Sequence, residues 1–187
     1  MKKLLLGVFV SSLMIACNND KAEDKPAASS ETPATPAGDK KTTDEIMDMS
    51  KGDGVIAAMN AFGKGDIDGM TASYDDNIMF RWSNGDSLVG KQAVKDYYNG
   101  RWKIIDSLNI TDQVVLPVKV NNSQTPYQAT GNWVLYWGFV HVKYKNGKKL
   151  NFWTHNDYHY NDAGKVDVAI QYIDRHPIME ATKGLVK

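Results

Sequence analysis

One cysteine, Cys17, stands in a chain of 187 residues, so no disulfide closes within it, and nothing around it reads as a thiol enzyme. Nucleophile motifs, phosphate loops and cofactor fingerprints are missing, and no cofactor is expected. Charge of one sign is missing as well. The chain holds 22 basic and 22 acidic residues. Met1–Ala16 carries two lysines and no acid, which leaves 20 against 22 and a formal charge of −2 beyond it. No basic field exists to attract nucleic acid. Proline is scarce, and three of the six fall in Asn18–Asp44, where no apolar residue is larger than Ala or Pro. Such a stretch cannot bury enough surface to order itself. No internal repeat is visible.

The apolar run Leu4–Val10 follows Lys2 and Lys3, resumes through Leu13–Ile15 and stops at Ala16-Cys17. That is the pattern of a secretory signal, too short for a spanning helix. Leu13-Met14-Ile15-Ala16-Cys17 also resembles the lipobox of bacterial lipoproteins, in which the cysteine is lipidated and becomes the mature N-terminus. The resemblance implies residues 1–16 as signal peptide, 17–44 as a lipid-anchored tether, and a cell-envelope location, periplasmic or on the outer surface of the outer membrane. A flexible tether of this length spans on the order of 25–30 Å. About 140 residues remain, 45–187, enough for one domain.

The domain opens with helical spacing. Val55, Met59 and Phe62 lie at i, i+4 and i+7, with Gly63-Lys64-Gly65 as the stop and a start near Ser50 or Asp53. Asp66 reads as the N-cap of a short second helix through Ile67 and Met70. Asn77–Trp82 reads as a strand, Asn84-Gly85-Asp86 as a turn, and Gly90 to about Ile105 as a third helix. Val114–Val120 alternates as a further strand, with Pro117 marking an edge or bulge.

Three strands then follow, Trp133–Lys145, Lys148–Tyr160 and Lys165–Arg175, holding three of the five Trp and three of the four His. Asn146-Gly147 joins the first two as a two-residue hairpin, which sets Lys145 opposite Lys148. On that register one face carries Tyr136 and Val140 beside Trp153, His155, Asp157 and His159, and beside Tyr172 and Asp174. The other carries Trp133, Trp137, Phe139 and His141 beside Phe152, Thr154, Asn156 and Tyr158. Both hold too much apolar surface to remain in water. Helices first and a long antiparallel sheet after make an α+β arrangement.

Gly63-Lys64-Gly65-Asp66-Ile67-Asp68-Gly69-Met70, followed by Tyr74-Asp75-Asp76-Asn77, resembles the opening of the nuclear transport factor 2-like superfamily. Leu88–Tyr98 is similar to its third helix, and Ala163-Gly164-Lys165-Val166 through Asp174 is similar to the close of its SnoaL-like branch. The resemblance implies a cone-shaped, cystatin-like sheet curved around N-terminal helices. A pocket lies inside the cone, and homodimers form through the sheet's other face. It also implies an acid/base role for the closing aspartate, here Asp174, and so makes the face carrying His155 the concave one.

On this reading the pocket binds a small, largely apolar molecule; the alternative is a proton-transfer enzyme of cyclase, isomerase or dehydratase type using His155, Asp157 or Asp174. His155 and Asp157, two apart on a strand, share a face about 6–7 Å apart, and a carboxylate beside an imidazole favours its protonated form. Asp174 falls about 13 Å along the sheet from His155 on this register. His155-x-Asp157-x-His159 spans about 13 Å, too wide for one coordination sphere, so no metal is expected. Tyr136, Trp153, Tyr172, Tyr98 and Trp102 are the expected ligand contacts, and Arg101 stands beside the last two on the third helix.

Overall fold

The computed structural model describes residues 42–122 and 130–185. Cys17, the signal and most of the tether fall outside them. Among the described residues, seven strands form one sheet and four helices accompany it. In chain order they are β1 (Glu45–Ile46), α1 (Ser50–Gly63), α2 (Ile67–Met70), β2 (Tyr74–Trp82), β3 (Ser87–Val89), α3 (Lys91–Trp102), β4 (Ile105–Val120), β5 (Gly131–Tyr144), β6 (Lys149–Tyr160), β7 (Val166–Tyr172) and α4 (Arg175–Thr182). The strands lie in the order β1-β4-β5-β6-β7-β2-β3, antiparallel throughout except where β2 joins β7 in parallel. The sheet is curved and does not close, and its concave face receives the helices.

The helix signals carry over directly. α1 spans the expected Ser50–Gly63 and buries Val55 and Met59. Asp66 caps α2, its Oδ1 accepting the Gly69 N–H at 2.8 Å. The third helix stops earlier than expected, at Trp102, and β4 begins already at Ile105. The tail of the tether is tied down: the Asn121 N–H donates to Asp44 Oδ1 at 2.9 Å, and β1 pairs with the edge of β4.

Two local features decide which side chains face inward. In β4 the register shifts between Thr111 and Val114, with Asp112 at φ 50°. This bulge switches the alternation, so Ile110 points to the core before it, and Val115 and Pro117 do so after it, while Val114 and Leu116 turn outward. The second feature is the β5–β6 hairpin. Its connection is three residues, Lys145-Asn146-Gly147, closed by Tyr144 N–H to Lys148 O at 2.9 Å with Gly147 at φ 85°. His155 therefore stands opposite Trp137, and Tyr136 opposite Asn156. This corrects the expected two-residue turn. A slip of one residue moves every side chain of β6 to the other face.

The core follows from the corrected register. Val134, Tyr136, Val140 and Val142 of β5 and Tyr158 and Tyr160 of β6 are buried with Ile78 and Phe80 of β2 and with Val55 and Met59 of α1. Gly138 keeps open the space that the Tyr136 phenol occupies, since a Cβ there would meet the Tyr136 oxygen at 2.3 Å. α4 begins where β7 was expected to continue. Asp174 is its N-cap, with Oδ1 accepting the His176 N–H at 2.9 Å, and Pro177 sits in the first turn, where a missing N–H costs nothing.

Candidate functional site

Between the concave face and the helices lies a cavity of about 110 Å³ that opens to solvent. Phe62 comes from α1, Tyr98 and Arg101 from α3, Val140 and Val142 from β5, and Phe152 from β6. α4 closes another side with Ile178. The rings interlock edge to face: Phe62 meets Tyr98 at 5.3 Å and 75°, and Tyr98 meets Phe80 at 5.8 Å and 75°. These are favoured arrangements for aromatic quadrupoles, and they stiffen the wall.

The polar groups of the cavity are mostly committed. Gln171 Oε1 accepts from Trp82 Nε1 at 3.0 Å and from the Tyr98 hydroxyl at 3.4 Å. Thr154 donates to Asn156 Oδ1 at 3.2 Å, Asn156 Nδ2 donates to the Tyr158 hydroxyl at 3.0 Å, and that hydroxyl reaches Met59 Sδ at 3.5 Å. Arg175 pairs with Asp86 at 2.7 Å and lies 5.0 Å over the Trp82 ring. Burial pushes the Tyr98 phenol well above its usual pKa. It raises Tyr144 as well, against the pull of the nearby Arg101 guanidinium. No Asp, Glu or His is among the described residues lining the cavity.

Of the residues singled out in the sequence, Tyr98 lines the cavity, as does Arg101. Trp102 stands beside it, its ring 6.1 Å from Phe62. Tyr136 is fully buried in the concave core, its hydroxyl donating to Gln113 Oε1 at 3.1 Å. His155, Asp157, Trp153 and Tyr172 lie on the opposite, outward face, because the hairpin has one more residue than the Asn-Gly pair suggested. The expectation that this set lines the pocket is corrected. So is the placing of Phe152, Thr154, Asn156 and Tyr158 on the outward face. Asp174 sits at the α4 N-terminus and not in a strand. Gln171, the α4 wall and Arg175 were missed as pocket residues. Only the turn chemistry at Asp174 and Pro177 held a signal for α4.

The outward face has its own order. His155 lies between two rings, 4.7 Å from Trp137 and 5.3 Å from Tyr172, with Nε2 2.8 Å from Asp157 Oδ1. Burial raises the Asp157 carboxyl above its usual pKa, against the opposing effect of His155. His159 pairs with Asp167 at 2.6 Å, and the register shift in β7 aims that aspartate at it. The His-x-Asp-x-His run thus divides into two separate pairs. His141 bonds Asn151 at 2.9 Å and Thr111 at 3.2 Å.

Comparison with known proteins places this geometry. The fold matches that of a candidate polyketide cyclase from Xanthomonas campestris pv. campestris, at 18% identity and TM-score 0.56 over 70% of this chain and 94% of that one. A candidate isomerase from Bacillus subtilis matches at 17% identity and TM-score 0.53 over 73% and 97%. TerC co-crystallised with polyporic acid matches at 14% identity and TM-score 0.52 over 71% and 97%. Among curated proteins no sequence matches. At these identities the structural matches show the nuclear transport factor 2-like cone. The family model described as SnoaL-like domain matches residues 55–167, more than half of the sequence, and the chain belongs to the SnoaL-like domain family.

Proposed function

We propose that this chain is a lipid-anchored domain of a bacterial cell envelope that binds a small, largely apolar molecule in the cavity between the concave sheet and the helices. The observation that carries the binding reading is the lining itself. Rings and aliphatic side chains dominate it, most of its amide and hydroxyl groups are engaged with one another, and its buried tyrosines are held protonated. A wall of this kind holds a ligand by burial and orients it with few polar contacts. It offers little for moving a proton near neutral pH, since the ideal acid or base titrates near the working pH.

The test is native mass spectrometry of the full chain purified from its own source with minimal desalting. A discrete small-molecule adduct, lost on denaturation, is expected. Protein that is uniformly empty, and that takes up no apolar compound when challenged, would reject the reading. Anchoring rests on the Leu13–Cys17 motif. The full chain is expected to partition into detergent and to lose that behaviour in Cys17→Ser.

A homodimer through the outward face is supported by the exposed apolar side chains there, Val114, Leu116, Trp153 and Tyr172. Trp153→Glu is expected to lower the sedimenting mass to that of a monomer, and an unchanged mass rejects that interface. The proton-transfer alternative draws on what the cyclase and isomerase relatives are called. His155, Asp157 and Asp174 all stand outside the cavity, so that reading needs another acid or base.

A further inference from the structure

The cavity is unbalanced in its hydrogen-bonding groups. The charged groups in its described lining are the guanidinium groups of Arg101 and Arg175, and they are differently placed. Arg175 is already neutralised by Asp86 and stacked on Trp82. Arg101, half-buried in the last turn of α3, forms no ion pair with any described carboxylate and stands beside the Tyr144 and Tyr98 phenols. Gln171 adds to the imbalance. Both groups that meet its Oε1, the Trp82 indole N–H and the Tyr98 hydroxyl, are placed as donors, so the oxygen is the acceptor and the NH2 end is a donor. That NH2 makes no hydrogen bond to a described residue. The cavity therefore presents donors and positive charge on an apolar wall, and no acid in its described lining neutralises Arg101.

Building on the binding reading, we propose that the natural ligand is an apolar molecule bearing one carboxylate, with the carboxylate on the Arg101 guanidinium and the apolar body against Phe62, Val140, Val142 and Phe152. The guanidinium fork matches a carboxylate through two parallel hydrogen bonds, and it is weakly hydrated enough to work at a half-buried site. A neutral ligand of the same shape would leave that fork without its match. A cationic one would meet repulsion from Arg101.

Three probes sharing one ring system separate these cases: 2-naphthoate, 2-naphthalenemethanol and 2-naphthylmethylammonium, titrated into the full chain by calorimetry. The acid is expected to bind about tenfold tighter than the alcohol, as a charge-assisted pair allows, and the ammonium weakest. Arg101→Gln is expected to lower the affinity for the acid about tenfold while moving the alcohol less than about twofold; Arg101→Lys is expected to retain part of the preference. Equal affinity of wild-type protein for acid and alcohol overturns the anion inference and leaves the binding reading standing. So does an acid affinity indifferent to Arg101→Gln. Failure of all three probes to bind overturns both. The wild-type comparison decides the matter even where a variant does not fold.

Discussion

Strands β5 and β6 put rings and hydrogen-bonding side chains on both of their faces, and the two faces use them differently. On the concave side Tyr136 and Val134 are fully buried, and Thr154, Asn156 and Tyr158 pass hydrogen bonds up one strand to Met59. On the outward side imidazoles lie against aromatic rings, each bonded to a carboxylate or an amide, while Trp153 remains 57% exposed. Helices cover the first face, and most polar groups of β5 and β6 there are satisfied within the fold. The second is only partly open to water, its polar pairs are local, and Trp133 Nε1 and His155 Nδ1 are buried there without a partner among the described residues. Residue type alone therefore does not mark the functional face. His155 and Asp157 look like chemistry in the sequence, yet the cavity lies on the side carrying Phe152 and Thr154.

The comparison can be broken by substitution. The largest effect is expected from Tyr136→Ala, which empties a fully buried site and should cost about 3–5 kcal/mol in denaturant unfolding. Gly138→Ala pushes a methyl into the same ring and is expected to cost about 1–3 kcal/mol. If it is tolerated, the Tyr136 ring has another place to go. Asn156→Ala leaves a buried Thr154 donor and Tyr158 hydroxyl without their partner, about 1–3 kcal/mol by the same measurement. Trp153→Ala, on the outward face, is expected to stay within about 0.5 kcal/mol in the monomer. A cost as large as that of Tyr136→Ala would mean that the outward face is also a core.

The smallest effect sharpens the comparison through pH. Burial raises the Asp157 carboxyl in the folded protein, so the folded state holds that proton more tightly than the unfolded chain. The stabilisation is complete below the ordinary carboxylate pKa and is lost as pH rises through the elevated value. Asp157→Asn removes this dependence. The melting temperature of the variant relative to wild type is expected to climb as pH rises across that window and then to level off. A flat difference would mean that solvent reaches the carboxylate fully.

Much of the helical layer was legible. The i, i+4, i+7 spacing of Val55, Met59 and Phe62, the glycine stop and the Asp66 cap are local signals, and local hydrogen bonding reads them. The Asn-Gly pair located the hairpin correctly but not its length, because a glycine at positive φ serves a two-residue turn and also a three-residue loop with a bulge. That single ambiguity moved His155 and Asp157 from the cavity to the outside. Arg101 and Tyr98 were found as pocket neighbours because both lie within the expected third helix, although it ends at Trp102. Gln171 was passed over because its value lies in accepting from Trp82, 89 residues away in the chain.

By itself the sequence determined that the domain is α+β, that its first helix starts near Ser50 or Asp53 and stops at Gly63-Lys64-Gly65, that a tight turn at Asn146-Gly147 joins two of its last three strands, and that it resembles the SnoaL-like family. Each of these is carried by periodicity, by capping or by motifs a few residues long. Only the tertiary structure decided which sheet face turns inward, that β4 changes its alternation at Asp112, that Asp174 starts a helix, and that Arg101 faces an apolar wall with no described carboxylate beside it. Alternation repeats every two residues, so either face of a strand fits the pattern equally well; the count of residues in a turn and the packing of the helices choose between them.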